Sequence, residues 1–212
     1  MTKYTHSCIL LHGFTMKPNE MIYYSKYINR ILPENVIMKY IYPKAPIRKI
    51  TCYDGKKYSA WYDYYTNDKI VEEKINKKDL IESRNKIHKI IFKEKQYHNG
   101  DTSKIFIGGC SQGGCMALDT GISFPEKLGG IIGFKGHIIN YTFNSIKINQ
   151  KIWVCHGLKD NTIGYKVAKT SYDKYKKLGY DITFLSQKNV NHDINTGIYE
   201  QMRSLKKWLI FY

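Results

Sequence analysis

The chain has 212 residues, 42% hydrophobic and 25% charged, which excludes a disordered or fibrous protein and fits one domain with a substantial core. A net charge of +16 invites a nucleic-acid reading, yet the positive charge is nearly all lysine spread from end to end, and arginine, which forks onto phosphates and bases, is scarce. Together with the abundant Ile, Asn and Tyr, this lysine content reflects A/T-rich codons and requires no nucleic-acid partner; it leaves open a weak, salt-sensitive attraction to anionic membrane surfaces.

From the N-terminus, MTKYTHSCILLHGF holds an apolar run only from Cys8 to Leu11, short of the roughly 7–15 residues of a secretory core. No stretch approaches the roughly 18 apolar residues of a membrane span. Residue 2 is threonine rather than the glycine of myristoylation, and the C-terminal residues form no prenylation box. Five cysteines, an odd number with Cys8 and Cys155 inside apolar runs, read as reduced thiols. The expectation is a cytoplasmic, unanchored protein, with monomer and homodimer both open.

Short runs rich in Ile and Val predict strands at 7–11, 36–42, 104–108, 130–134, 151–155 and 181–186. Amphipathic stretches between them predict helices at 19–32, 78–96, 112–123, 162–178 and 194–210. This alternation implies a single domain over 1–212, built on a mostly parallel sheet with helices on both faces. Residues 43–77, turn-rich and aromatic, break the rhythm and are expected to form an irregular excursion near the sheet's C-terminal edge.

The stretch IFIGGCSQGGCMALDTG (105–121) carries the chemistry. A phosphate loop fails because Gly114 stands where lysine must be, and a dinucleotide loop fails because Cys110 stands where the second glycine must be. Gly109-Cys110-Ser111-Gln112-Gly113 fits G-x-S-x-G, set between a strand and a helix, as a nucleophile elbow requires. Neither Cys110 nor Cys115 has flanking glycines in register, so Ser111 is the candidate nucleophile.

A hydroxyl needs a base, and the base needs an orienting acid, in the chain order Ser, acid, His for this elbow. Of the histidines after Ser111, His137 precedes the acid-bearing loop and His156 ends a strand, which leaves His192 in the loop between the last strand and the last helix. Asp160 follows the strand KIWVC, whereas Asp119, Asp173 and Asp181 fall on or beside helices and Asp193 adjoins the histidine. The backbone N–H groups of Gln112, at a helix N-terminus, and of Phe14, after the early strand, are the candidate oxyanion donors.

The segments LHG, G-x-S-Q-G-G, H-G-x-x-D and N-H, with YPKAPIRKITCYDGKKYSAWYDYY (42–65), resemble the acyl-protein thioesterase and carboxylesterase group of α/β-hydrolases over about residues 6 to 210. The resemblance implies a single-domain α/β-hydrolase without a large lid. It also implies the Ser111, Asp160 and His192 triad, oxyanion donors at Phe14 and Gln112, and neither metal nor organic cofactor. Met16 and Trp61 are expected near the acyl groove on the same ground. The substrates it implies are carboxylic esters or thioesters of acyl chains, with S-acylated protein, lysophospholipid and small esters all open. A non-catalytic binding protein on the same scaffold is the rival. Lys135, in GFKG, departs from the small serine usual in the group.

Overall fold

The protein is described here by a computed structural model covering residues 4–68, 70–142 and 149–209. Its strands are β1 (His6–Leu11), β2 (Met38–Ile41), β3 (Ile47–Ile50), β4 (Lys56–Ser59), β5 (Ile105–Cys110), β6 (Gly130–Phe134), β7 (Lys151–Gly157) and β8 (Asp181–Gln187). Among the described residues, six of them form one sheet in the order β2-β1-β5-β6-β7-β8, and each neighbouring pair is parallel.

Such a sheet must be covered on both faces, and the sequence supplies the cover. Along β1, Ile9 and Leu11 enter the core on one face while Cys8 and Leu10 enter the core on the other. On the first face, α2 (Lys77–Tyr97), α3 (Gln112–Ser123) and α4 (Tyr165–Lys177) contribute Leu80, Ile87, Met116, Leu118, Ala168 and Tyr172. On the second, α1 (Ile22–Asn29) and α5 (Ile198–Trp208) contribute Tyr24, Ile28, Met202, Leu205 and Trp208. The α/β architecture expected from the alternating pattern is the one observed.

Where helix boundaries shift, local hydrogen bonding explains the shift. The helix expected at 19–32 opens as a short 3-10 turn, Pro18–Met21, before α1 takes over. The one expected from 162 begins at Tyr165, because the N–H groups of Thr162 and Ile163 donate to the Asp160 carboxylate instead. The last helix begins at Ile198 rather than 194: Asn191, Asp193 and Thr196 fold into side-chain-bonded turns that end on left-handed Gly197, φ 77°.

Residues 43–77 are more ordered than expected, because β3 and β4 pair as an antiparallel hairpin. Its turn runs through Asp54 and Gly55, both at positive φ. IRKI and KKYS are partly exposed and lysine-rich, so no apolar alternation announces them. Arg48 ties the hairpin to α2 through Asp79 at 2.7 Å, and Asp63 accepts from both the N–H and the hydroxyl of Thr51.

Candidate active site

Ser111 stands between β5 and α3 with φ 56° and ψ −125°, a conformation that L-residues rarely adopt and that lifts its side chain out of the turn. Two of the motif's glycines are there for space. A Cβ on Gly113 would lie 2.2 Å from the Leu11 carbonyl oxygen, and one on Gly109 would lie 2.2 Å from that of Gly113. The elbow is fastened by the Ser111 N–H donating to Phe134 O (2.9 Å), and by the Cys115 N–H donating to Ser111 O (3.0 Å).

His192, half-buried in the loop after β8, places Nε2 at 2.8 Å from Ser111 Oγ and Nδ1 at 2.7 Å from Asp160 Oδ2. An ionised carboxylate can only accept, so Nδ1 carries the ring proton and the Nε2 lone pair faces the serine hydroxyl. Asp160, buried at the end of the turn after β7, accepts the Thr162 and Ile163 N–H groups on its other oxygen. Burial on its own would raise this carboxyl, but hydrogen bonds and charge from His156 and His192 hold it well below the ordinary carboxylate value.

His156 is the neighbour that the sequence did not single out for this site. Fully buried, it sets Nε2 at 3.1 Å from Asp160 Oδ2 and 2.8 Å from Ile163 O, so the carboxylate is gripped from two sides. The only hint in the sequence is the four-residue step of H-G-x-x-D. Gly157 allows the two loops to meet: a Cβ there would lie 2.0 Å from Val190 O, and the Lys159 N–H donates to that same carbonyl.

Lys135, fully buried and at positive φ, reaches the histidine loop from the end of β6. Its Nζ donates to the Asp193 carbonyl and, at 3.1 Å, to Thr196 Oγ1. Burial lowers its pKa from the ordinary lysine value, opposed by nearby thiols and carboxylates.

The backbone N–H groups of Phe14 and Gln112 have no acceptor among the described residues; Phe14 follows β1 and lines the cavity at Ser111, and Gln112 opens α3. Buried His12 receives the Ala45 N–H on Nε2 (3.1 Å) and sets Nδ1 at 2.9 Å from Gly13 O; burial lowers its pKa, which keeps it a neutral brace. The Thr15 N–H donates to Ser59 O, so the hairpin steadies this loop. The Gln112 side chain accepts the Trp61 N–H and donates to Tyr62 O, pinning the segment after β4 to the elbow.

Trp61 is placed away from the groove position expected of it, whereas half-buried Met16 stays beside the serine: a Cβ on Gly13 would lie 2.8 Å from its Sδ and 3.3 Å from Ser111 Cβ. Trp61 is fully buried, its indole N–H donating to His12 O at 2.8 Å, and it belongs to the core behind the loop. Met16 packs against the opposite core, with Sδ accepting the Gly13 N–H. The cavity that opens at Ser111 measures about 70 Å³, and its walls include Phe14, Tyr53, Tyr64, Glu73, His137 and Ile163. The tyrosine-rich run after residue 52 was the available signal for two of these.

The rival nucleophiles are inert by burial. Cys110 is buried, receives the Tyr24 hydroxyl and is pushed up to about 11; Cys115 is buried and accepts the His137 N–H. Asp119 is engaged by both arms of Arg84 at 2.7 Å. Among the described residues, no group of three or more His, Cys, Asp or Glu side chains is arranged to hold a metal ion, and no helix is long and apolar enough to cross a membrane.

Similarity to known proteins shows the fold and the family. Acyl-protein thioesterase 1 of Emericella nidulans is 31% identical over 184 residues, covering 80% of this chain and 75% of that protein. Lysophospholipase-like protein 1 of Mus musculus is 26% identical, covering 98% and 87%. Arabidopsis thaliana SOBER1 superposes with a TM-score of 0.82 at 20% identity, covering 96% of this chain and 97% of that one. Zea mays acyl-protein thioesterase 2 gives 0.76 at 18%, covering 99% and 96%. Both structural likenesses speak for the fold. The Phospholipase/Carboxylesterase family profile matches residues 2–211, so the chain belongs to that family of α/β-hydrolases and is an ester-hydrolysing enzyme.

Proposed function

We propose that the protein hydrolyses acyl esters and thioesters through an acyl-enzyme formed on Ser111, with His192 as general base and acid and Asp160 as its orienting carboxylate. The observation that carries this reading is the unbroken line of hydrogen bonds from Asp160 Oδ2 through His192 to Ser111 Oγ, at 2.7 and 2.8 Å. Support also comes from the relatives named as acyl-protein thioesterases and as a lysophospholipase-like protein, whose names carry both protein-bound and lipid acyl groups. The five free cysteines suit a reducing compartment, and the proposal includes cytoplasmic action.

In this reading, His192 Nε2 takes the hydroxyl proton as Ser111 Oγ attacks the acyl carbonyl. The oxyanion points at the Phe14 and Gln112 N–H groups, the latter at the positive end of α3. Protonated His192 then gives its proton to the departing thiol or alcohol, and water, deprotonated by the same imidazole, releases the acid. General-base catalysis supplies roughly 10²–10⁴-fold, and each oxyanion donor roughly 10²–10³-fold.

The test is labelling with a fluorophosphonate probe alongside hydrolysis of p-nitrophenyl and thioester substrates, for wild type and Ser111→Ala. Wild type is expected to label and turn over, and the folded alanine variant to do neither, its kcat lower by about 10⁶-fold. Turnover retained in the variant would remove Ser111 from its role. A folded wild type that neither labels nor hydrolyses would leave a binding protein on a hydrolase scaffold.

A further inference from the structure

Substrate choice lies with what the acyl group meets beyond Ser111, and there the walls close early. The cavity at the serine, about 70 Å³, is several times smaller than the roughly 300–1,000 Å³ of pockets that bury drug-sized ligands. A second void of about 10 Å³ lies beyond it, lined by Val71 and Val167. Glu73, His137, Thr162 and Ile163 line both spaces and therefore form the partition between them.

That partition is polar. Glu73 accepts the Thr66 hydroxyl at 2.9 Å, and its carboxyl is raised by burial. His137 is buried, and its Nδ1 has no hydrogen-bond partner among the described residues. An alkyl chain pressed on the half-buried Glu73 carboxyl would strip water from it and return no hydrogen bond. Volume and polarity thus oppose the same thing, a long tail.

We propose that this enzyme takes short acyl groups, of about two to four carbons, because the small space beside the serine ends against the partition of Glu73, His137, Thr162 and Ile163. The proposal rests on Ser111 being the nucleophile and adds the acyl class. Glu73 is the specificity-determining residue: it fills the partition from the segment after the hairpin and makes none of the hydrogen bonds that join Asp160, His192 and Ser111.

The experiment is kcat/KM for p-nitrophenyl acetate, butyrate, hexanoate, octanoate and decanoate, below their aggregation limits, with wild type, Glu73→Ala and Glu73→Gln. In an open apolar groove each buried methylene raises kcat/KM by about four-fold. For wild type the rise is expected to stop at butyrate, with octanoate lower by about tenfold or more. Glu73→Ala removes volume and charge and is expected to move the optimum to hexanoate or octanoate. Glu73→Gln keeps the volume and is expected to keep the short-chain optimum. Values in wild type that still climb at octanoate would overturn the proposal while leaving Ser111 in place, and an unmoved optimum in Glu73→Ala would overturn the partition. Failure to hydrolyse any ester, without fluorophosphonate labelling, would overturn the reading beneath it.

Discussion

Asp160 accepts hydrogen bonds from the backbone of Thr162 and Ile163 and from the rings of His156 and His192. Burial opposes its ionisation, but the two imidazoles outweigh burial and hold the folded carboxyl well below its ordinary value near 3.8. Between these two values the unfolded chain binds more protons than the folded one, so stability rises with pH across that window. The contribution is complete above about pH 5 and disappears as acidification passes through the folded value. Urea denaturation of wild type and Asp160→Asn should therefore show a stability gap that is constant near neutrality and narrows below about pH 4; a gap independent of pH would place the effect in packing. The same variant should lose roughly 10⁴-fold in kcat, the expected cost of a wrongly oriented imidazole. At this scale the sequence spoke clearly wherever sterics allow one residue only. Gly109 and Gly113 face carbonyl oxygens that no Cβ could approach, so the spacing around Ser111 was readable. Trp61 and His156 were not readable in this way, because a buried indole N–H and a buried imidazole find their partners, His12 O and Asp160, across 49 and 4 residues by folding alone.

At the scale of elements, strand runs of Ile and Val and a helix beginning at Gln112 emerged from pattern because burial on both faces enforces continuous apolarity. The β3–β4 hairpin did not, since IRKI and KKYS have a solvated side and no such pressure. The loops after β6, β7 and β8 are bound to one another by contacts that no periodicity encodes: Lys159 N–H to Val190 O, Leu158 N–H to Gln187 O, and the Lys135 ammonium to the Asp193 carbonyl. Lys135 thus works as a positioning residue for the segment that carries His192. Lys135→Met keeps most of the unbranched side chain and removes the donor. It is expected to lower kcat by about 10- to 100-fold with KM little changed, the cost of a base displaced by about an ångström. Steady-state kinetics on soluble esters reads this split; unchanged kcat would mean that the turns through Asn191 and Thr196 hold the loop unaided.

For the whole molecule, the net charge is +16, and apart from the buried Lys135 the lysines among the described residues are exposed or half-buried. Attraction of that kind reaches about 30 Å at 0.01 M salt and about 8 Å at 0.15 M. Co-sedimentation with vesicles containing anionic lipid should fall steeply over that range, whereas salt-independent binding would require an apolar contact. The main sheet and its covering helices were legible because strands and helices alternate along the chain outside residues 43–77. The acyl cavity was not, since its walls come from residues 14, 53, 64, 73, 137 and 163, which no local pattern joins.

The strand order also sets a timetable. Ser111 and His192 stand 81 residues apart, with Asp160 between them. A chain leaving the ribosome can therefore shape its elbow, with β1 and β5 already paired, long before the imidazole proposed to arm it has been synthesised. Through that interval the serine is an ordinary alcohol. Under the proposed mechanism the reactive state waits for the loop after β8, when β7 and β8 are in place to hold His192 against Asp160.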